Sequence, residues 1–238
     1  MYDRFTAVME GQPALVKRAE LCRQRRILRL IRDRAAPSGE VRFLEVGVGT
    51  GTFARLVSEQ GWTYLGVERN ENMARAVTAG RVLVGDVPPF PAELPNESFD
   101  VGYAAFVLEH VADGLEAYRF VAGLTEKVRK GGLICLVVPD SLSLGMEFWN
   151  LDYTHRFPTT ERNVSEIARE CGLAVEDVVR YRGPMWTGAA RRALKFLAIF
   201  YRYRLWERCF GKKAFFYGLF QYVNQEMLVL LLRKEKGA

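Results

Sequence analysis

Short apolar runs alternate along this chain with stretches in which apolar positions recur every three or four residues, the rhythm of strands separated by helices. Strands are predicted at 41–47, 63–68, 81–86, 99–104, 133–138, 174–181 and 226–233. Leu133-Ile-Cys-Leu-Val-Val138 and Met227-Leu-Val-Leu-Leu-Leu232 are apolar without alternation, so both read as strands covered on two faces. Within 160–171, Val164, Ile167, Ala168 and Cys171 share one helix face, and Gly172 stands where a C-terminal cap belongs. Strands and helices in this alternation predict an α/β fold with a doubly wound, mostly parallel seven-stranded sheet.

Ahead of the first strand, residues 14–34 form a basic helical stretch with Leu21, Leu28 and Ile31 on one side, followed by the linker 36–39. Residues 1–40 therefore read as a cover helix over the mouth of a site, with 41–183 and 225–238 forming the main domain. Between them lies an insertion, 184–224.

The first strand runs into three alternate glycines, Gly47, Gly49 and Gly51. Glycines so placed let the chain reverse tightly and let its backbone approach a ligand that a Cβ would push away, while the next helix offers free N–H groups. This is a nucleotide-cofactor turn. Gly49-Thr-Gly51-Thr-Phe-Ala54 also satisfies the relaxed dinucleotide pattern, with Glu68 at the distance expected of a ribose ligand, so the turn alone leaves the nucleotide open.

The order of the later segments is more specific. Glu45-Val-Gly-Val-Gly-Thr-Gly51 is followed by Glu68 ending the second strand, Asp86 ending the third, Leu94-Pro-Asn-Glu-Ser-Phe-Asp100 leading into the fourth, Phe106-Val-Leu-Glu-His-Val111 after it, and Val128-Arg-Lys-Gly-Gly132 before the fifth. This succession resembles the class I S-adenosylmethionine-dependent methyltransferases, in particular the branch acting on small molecules, quinones, lipids and sugars. The resemblance implies a Rossmann-like fold with S-adenosyl-L-methionine as cofactor. Gly47, Gly49 and Gly51 would hold its methionine portion and Glu68 its ribose hydroxyls. Asp86 would take the adenine amine, Val87 would stack on the ring and Phe106 would line the sulfonium end. Glu45 would either orient the cofactor or pin the loop.

Methyl transfer from a sulfonium needs alignment, exclusion of water and, for some acceptors, removal of a proton. The chain has two histidines as candidate catalytic bases: His155, in Asp152-Tyr-Thr-His-Arg-Phe-Pro158 after the fifth strand, and His110, in the Leu-Glu-His-Val motif. Each could equally be a structural hydrogen-bonding group. Cys22, Cys135, Cys171 and Cys209 are scattered without a C-x-x-C pair, so no disulfide framework and no metal site are expected.

Two other classes remain compatible with parts of this pattern. An NAD-dependent oxidoreductase would share the glycine turn but usually needs a further catalytic domain. A catalytically inactive cofactor-binding adaptor at a membrane would share everything except acceptor chemistry. Nucleic acid is disfavoured as a partner, because Ala104-Ala-Phe106 follows the fourth strand instead of the Asn/Asp-Pro-Pro-Tyr type of motif seen in many base methyltransferases.

Charge changes the picture in one place. The 238-residue chain carries a net +6, yet 184–224 alone holds Arg191, Arg192, Lys195, Arg202, Arg204, Arg208, Lys212 and Lys213 against the single acid Glu207. The same segment carries twelve aromatics, Trp186, Phe196, Phe200, Tyr201 and Trp206 among them. Aromatic burial at headgroup depth and attraction of Arg and Lys to anionic lipid reinforce each other, so the segment reads as an interfacial anchor, with a docked lid, a subunit interface or an RNA-binding surface as alternatives. Together with a first segment lacking the apolar run of a secretory signal, this leads to the expectation of a cytoplasmic, peripherally membrane-associated enzyme with a small-molecule or lipid-linked acceptor, its oligomeric state left open.

If 184–224 is such an anchor, the protein should sediment with vesicles containing anionic lipid and less with neutral ones. Salt should weaken the binding without abolishing it, because aromatic burial is unscreened. Charge reversal at Arg191, Arg192 and Lys195 should release the protein while cofactor binding survives. A protein that stays in the supernatant with every lipid would refute the assignment.

Overall fold

A computed structural model describes residues 14–35, 40–182 and 226–235, together with the isolated positions 205, 208 and 209. The predicted insertion 184–224 therefore lies outside the described residues except at those three positions. The elements are α1 (Ala14–Arg32), β1 (Arg42–Val46), α2 (Thr52–Ser58), β2 (Thr63–Glu68), α3 (Glu71–Ala76), β3 (Arg81–Val84), β4 (Phe99–Ala105), a 3-10 turn at Leu108–His110, α4 (Gly114–Lys127), β5 (Val128–Pro139), α5 (Ser141–Leu144), α6 (Glu147–Leu151), α7 (Glu161–Glu170), β6 (Leu173–Arg182) and β7 (Glu226–Lys234). The strands form one sheet in the order β3-β2-β1-β4-β5-β7-β6.

Each strand predicted from the apolar runs is present, with three differences of detail. The third strand stops at Val84, leaving Asp86 in the loop beyond it. The stretch 128–132, placed ahead of the fifth strand, is instead the first part of β5, where the pairing with β4 shifts register between Phe99 and Val101 and Gly131 takes φ 74°. The sheet is parallel from β3 to β5, whereas β7 runs antiparallel to both β5 and β6.

Alternation along the central strands divides the core in two. Leu44, Val46, Ile134, Leu136 and Val138 face α4 and α7, packing with Phe120, Leu124, Val164 and Ala168. Phe43, Leu133, Cys135 and Val137 face the other way, onto Ile27, Leu28 and Ile31 of α1 and Phe53, Leu56 and Val57 of α2. The two-sided covering read from β5 and β7 is thus realised, because every second residue meets a different helical layer. Thr160 and Asn163 form a capping box at the start of α7, and Cys171 and Gly172 close its end through backbone bonds to Ile167, Ala168 and Arg169. Among the described residues, no helix is long and apolar enough to cross a membrane.

α1 does more than cover the sheet. Arg34, in the turn that follows it, pairs with Asp177 of β6 at 2.7 Å, and the Arg23 guanidinium of the helix lies 5.2 Å from the Phe106 ring centroid beyond the end of β4. Further along the same strand, Arg180 of β6 bonds Asp140 at 2.9 Å and also pairs with Glu161, which holds the exit of β5 beside the start of α7.

Glu45 sits inside the sheet layer, 3% exposed, and accepts a 2.6 Å hydrogen bond from the Tyr64 hydroxyl of β2. Burial raises its carboxyl from 4.5 to about 8; the Tyr64 bond opposes that shift and the nearby Glu68 adds to it. Because the folded value is raised, the folded state keeps a proton that the unfolded chain releases. The stability this confers is complete below about pH 4.5 and is lost as the pH climbs towards 8. Glu45→Gln, which preserves shape and hydrogen bonding, should gain on the wild type by about 1–5 kcal/mol between those two limits in urea melts. A constant difference across that range would exclude the buried protonated carboxyl.

Candidate functional site

In a doubly wound sheet, ligands bind outside the C-terminal ends of the strands where the strand order reverses. Here the reversal lies between β1 and β4, so the chain leaving β1 through Gly47–Gly51 and the chain leaving β4 through Phe106–His110 border one crevice. They touch. A Cβ on Gly47, whose φ is 78°, would lie 2.5 Å from Val107 Cγ2, so only glycine lets these two segments pass each other. Gly49, with φ 56°, differs: a Cβ there would meet nothing within 4 Å, which marks the open side of the turn.

Glu68 ends β2 almost fully buried and accepts the Gly49 N–H at 3.1 Å on Oε2 and the Asn70 N–H at 2.9 Å on Oε1. Each carboxylate oxygen has two acceptor directions, so both retain capacity for the hydroxyls of a ribose. Glu68 therefore also fixes the glycine turn, a role that its position in the sequence did not reveal. Asp86 is more open, with a side chain 70% exposed and paired with Arg69 at 3.0 Å, while the neighbouring Val87 is half-buried against the core. Phe106 holds φ 56°, a left-handed conformation costly for a bulky residue. Its N–H bonds Val137 O at 2.8 Å, which fixes the ring at the crevice.

The residues following Phe106 meet the loop after β5. That loop is pinched at its base, where Ser141 N–H reaches Thr159 O and Thr159 Oγ1 donates to Pro139 O at 2.6 Å. It is also laced to the β4 turn, since Arg156 and Phe157 both donate their N–H to Glu109 O. The result brings together the two histidines that the sequence could only nominate separately. Their rings lie 5.0 Å apart between centroids.

Hydrogen bonding assigns their tautomers. His155 Nδ1 lies 2.6 Å from Phe148 O, a carbonyl that only accepts, so Nδ1 carries the proton. Thr154 Oγ1 donates to Asp152 Oδ1 at 2.7 Å and therefore accepts from His110 Nδ1 at 2.8 Å. Both Nε2 atoms are left with lone pairs. Burial, reinforced by His155, pulls the pKa of His110 down; Asp152 and the bond to Thr154 oppose this only in part. For Asp152, burial acts upward but is outweighed by the Thr154 hydrogen bonds and the two histidines, and its pKa falls.

Glu109 is the residue that the sequence reading passed over. It lies between Leu108 and His110, is 1% exposed, and its Oε2 has no hydrogen-bond partner among the described residues. Burial raises its carboxyl to about 8, against the pull of its own backbone N–H and with help from Asp152. The available signal was the Leu-Glu-His-Val motif itself, in which an acid precedes a histidine inside an otherwise apolar turn.

A family model described as a methyltransferase domain matches residues 17–178. The chain belongs to this methyltransferase family. A curated relative, an uncharacterized methyltransferase of Geobacillus sp. (strain WCH70), is 34% identical over 105 residues, or 42% of this chain and 47% of the relative. The chain thus spans about half the length of that curated relative. Among solved structures, a SAM-dependent methyltransferase of Archaeoglobus fulgidus superposes with a TM-score of 0.64 at 19% identity, covering 98% of this chain and 99% of that one. A Thermotoga maritima SAM-dependent methyltransferase, described as a possible histamine N-methyltransferase, gives 0.63 at 20% identity and covers 98% of each chain. At these identities the similarity shows a shared fold, the Rossmann-like methyltransferase fold.

This methyltransferase domain has a glycine turn that fits S-adenosylmethionine: an open face at Gly49, and in Glu68 a buried acceptor beside it. Glu68→Ala should weaken binding of the cofactor product at least 10-fold by calorimetry. It should also cost about 1–3 kcal/mol of stability, because the Gly49 and Asn70 N–H groups lose their acceptor. Unchanged cofactor affinity in a folded variant would remove Glu68 from the site.

Proposed function

We propose that the protein is an S-adenosylmethionine-dependent methyltransferase that methylates an oxygen of a small or amphiphilic acceptor, of the kind represented by a lipid-linked sugar, a quinone or a polyketide. The observation carrying this reading is the pair His110 and His155, which presents two Nε2 lone pairs beside the glycine turn at the sheet reversal. When bound, S-adenosylmethionine supplies an electrophilic methyl group on its sulfonium.

The chain's own residues do the rest. The Gly47–Gly51 backbone and Glu68 hold and orient the cofactor, while Asp86 and Val87 flank the base and Phe106 narrows the crevice at the reacting end. With its pKa lowered, His110 is neutral near pH 7, so its Nε2 is able to accept the proton of an acceptor hydroxyl, and Asp152 behind Thr154 favours the imidazolium that results. His155 faces the same space and binds or polarises the acceptor.

The amphiphilic character of the acceptor is supported by the loop that carries His155. Leu142, Met146, Trp149 and Tyr153 on that loop are all exposed large apolar residues. Exposed apolar side chains clustered on one segment beside a site suit a greasy ligand or an interface. Combined with the basic aromatic insertion 184–224, they support work at the cytoplasmic surface of a membrane, with the acceptor presented from the lipid side.

Calorimetry should give one-to-one binding of S-adenosylmethionine and of its demethylated product, with no binding of NAD. Supplied with hydroxylated amphiphiles, the enzyme should transfer a labelled methyl group, and His110→Ala should reduce turnover about 100-fold or more without a matching loss of cofactor affinity. No heat with either cofactor form, or tight NAD binding, would overturn the reading.

A further inference from the structure

We propose that Glu109, His110 and His155 form a binding site for one divalent transition-metal ion of the zinc or ferrous type. The donor atoms, a carboxylate oxygen and one ring nitrogen from each histidine, already lie within 4.8 Å of one another. Ligands of a common ion at bond lengths of about 2.0–2.2 Å stand roughly 3–4 Å apart, so closure takes side-chain shifts on the order of 1 Å.

Three further observations make this a ligand set and not a chance cluster. First, each imidazole gives its Nδ1–H to an outer partner, which leaves Nε2 as the nitrogen free to ligate: His155 to the Phe148 carbonyl, and His110 to the Thr154 hydroxyl, which in turn bonds the Asp152 carboxylate. An outer acceptor fixing the far nitrogen is the usual companion of a metal-bound histidine. Second, the Glu109 carboxylate oxygen Oε2 is buried without any hydrogen-bond partner among the described residues. A buried oxygen in that condition calls for a ligand, and a cation satisfies it. Third, the backbones carrying the donors are locked together by the bonds from Arg156 and Phe157 to Glu109 O, so the set is assembled before an ion arrives. Two histidines and one carboxylate are a donor set favoured by zinc and iron(II), and they leave coordination positions open.

This inference rests on the methyltransferase reading for its role and extends it. The open positions would take an oxygen of the acceptor, whose hydroxyl loses its proton to solvent on binding. The metal-held oxyanion then forms the new bond to carbon as the carbon–sulfur bond breaks, and its electron pair returns to sulfur. The ion would thus take over the activating role that His110 would otherwise perform as a base.

The test is to strip the purified 238-residue chain with a chelator and titrate it with Co2+, followed by competition with Zn2+. The expected result is one ion per chain, visible ligand-field bands of nitrogen and oxygen ligation without sulfur charge transfer, and displacement by Zn2+. Glu109→Gln and His155→Ala should each weaken Co2+ binding 100-fold or more while the melting transition remains cooperative. His155→Gln provides a second variant should the first fail to fold. S-adenosylhomocysteine should bind the stripped protein as before, so an unsubstituted chain that binds S-adenosylhomocysteine but takes up no Co2+ would sink this proposal and leave the methyltransferase assignment standing. Absence of Co2+ uptake, thiolate bands, or unchanged uptake in folded variants would each overturn it.

Discussion

The contact between Gly47 and Val107 is the constraint around which the molecule is arranged. Two parallel strands that leave the sheet side by side at its reversal point must send their chains in different directions without colliding. Here they have room only because one of them carries no side chain at that position. With Gly47 in a left-handed conformation pressed on Val107, the glycine turn cannot drift away from the β4 turn, and the next three residues place Leu108 in the core and Glu109 and His110 at the crevice. The glycine turn and the turn that carries Glu109 and His110 are therefore two sides of one packing contact.

Three buried carboxyls around that contact are handled in three ways. Glu45 shares its oxygen with the Tyr64 hydroxyl and lies within the sheet layer, a structural link between β1 and β2. Glu68 receives two backbone N–H groups, which stabilise its negative charge and tie the glycine turn to the end of β2. Glu109 is shut away from solvent with one oxygen unmatched among the described residues, within 4.8 Å of a ring nitrogen of each histidine. A structural role explains the first, the second ties the glycine turn to β2 and is proposed to hold the ribose, and the third is the carboxyl on which the proposed metal site rests. Burying a carboxyl with no partner is costly, and folds keep such groups mainly where they serve a site.

The loop between β5 and α7 is what motivates the proposal of an amphiphilic acceptor. It is anchored at its base by Thr159 and along its length by Glu109 O, yet it presents Leu142, Met146, Trp149 and Tyr153 outward. In the proposed reading, this apolar rim takes the hydrophobic body of the acceptor, and the positive charge of 184–224, which accounts for the net charge of the whole chain, attracts an anionic surface.

The strands, their order of appearance and the glycine turn were legible in the sequence, because they depend on local periodicity and on residues that only a few backbone conformations tolerate. Thr160 and Gly172 bounded α7 for the same reason, as did the apolar runs that placed β5 and β7 between two helical layers. The antiparallel insertion of β7 between β5 and β6 was not legible, since an apolar run has no direction. Nor was the convergence of His110 with His155, which belong to different loops and meet only where Arg156 and Phe157 bond back to Glu109. The importance of Glu109 was hidden because a glutamate in a turn reads as solvated until the fold encloses it. Sequence by itself determined the sheet, the cofactor turn and the family, all of which rest on interactions between near neighbours or on single-residue backbone constraints. Tertiary structure alone decided which side chains share the crevice, because burial and proximity between distant segments arise only when the loops close over one another.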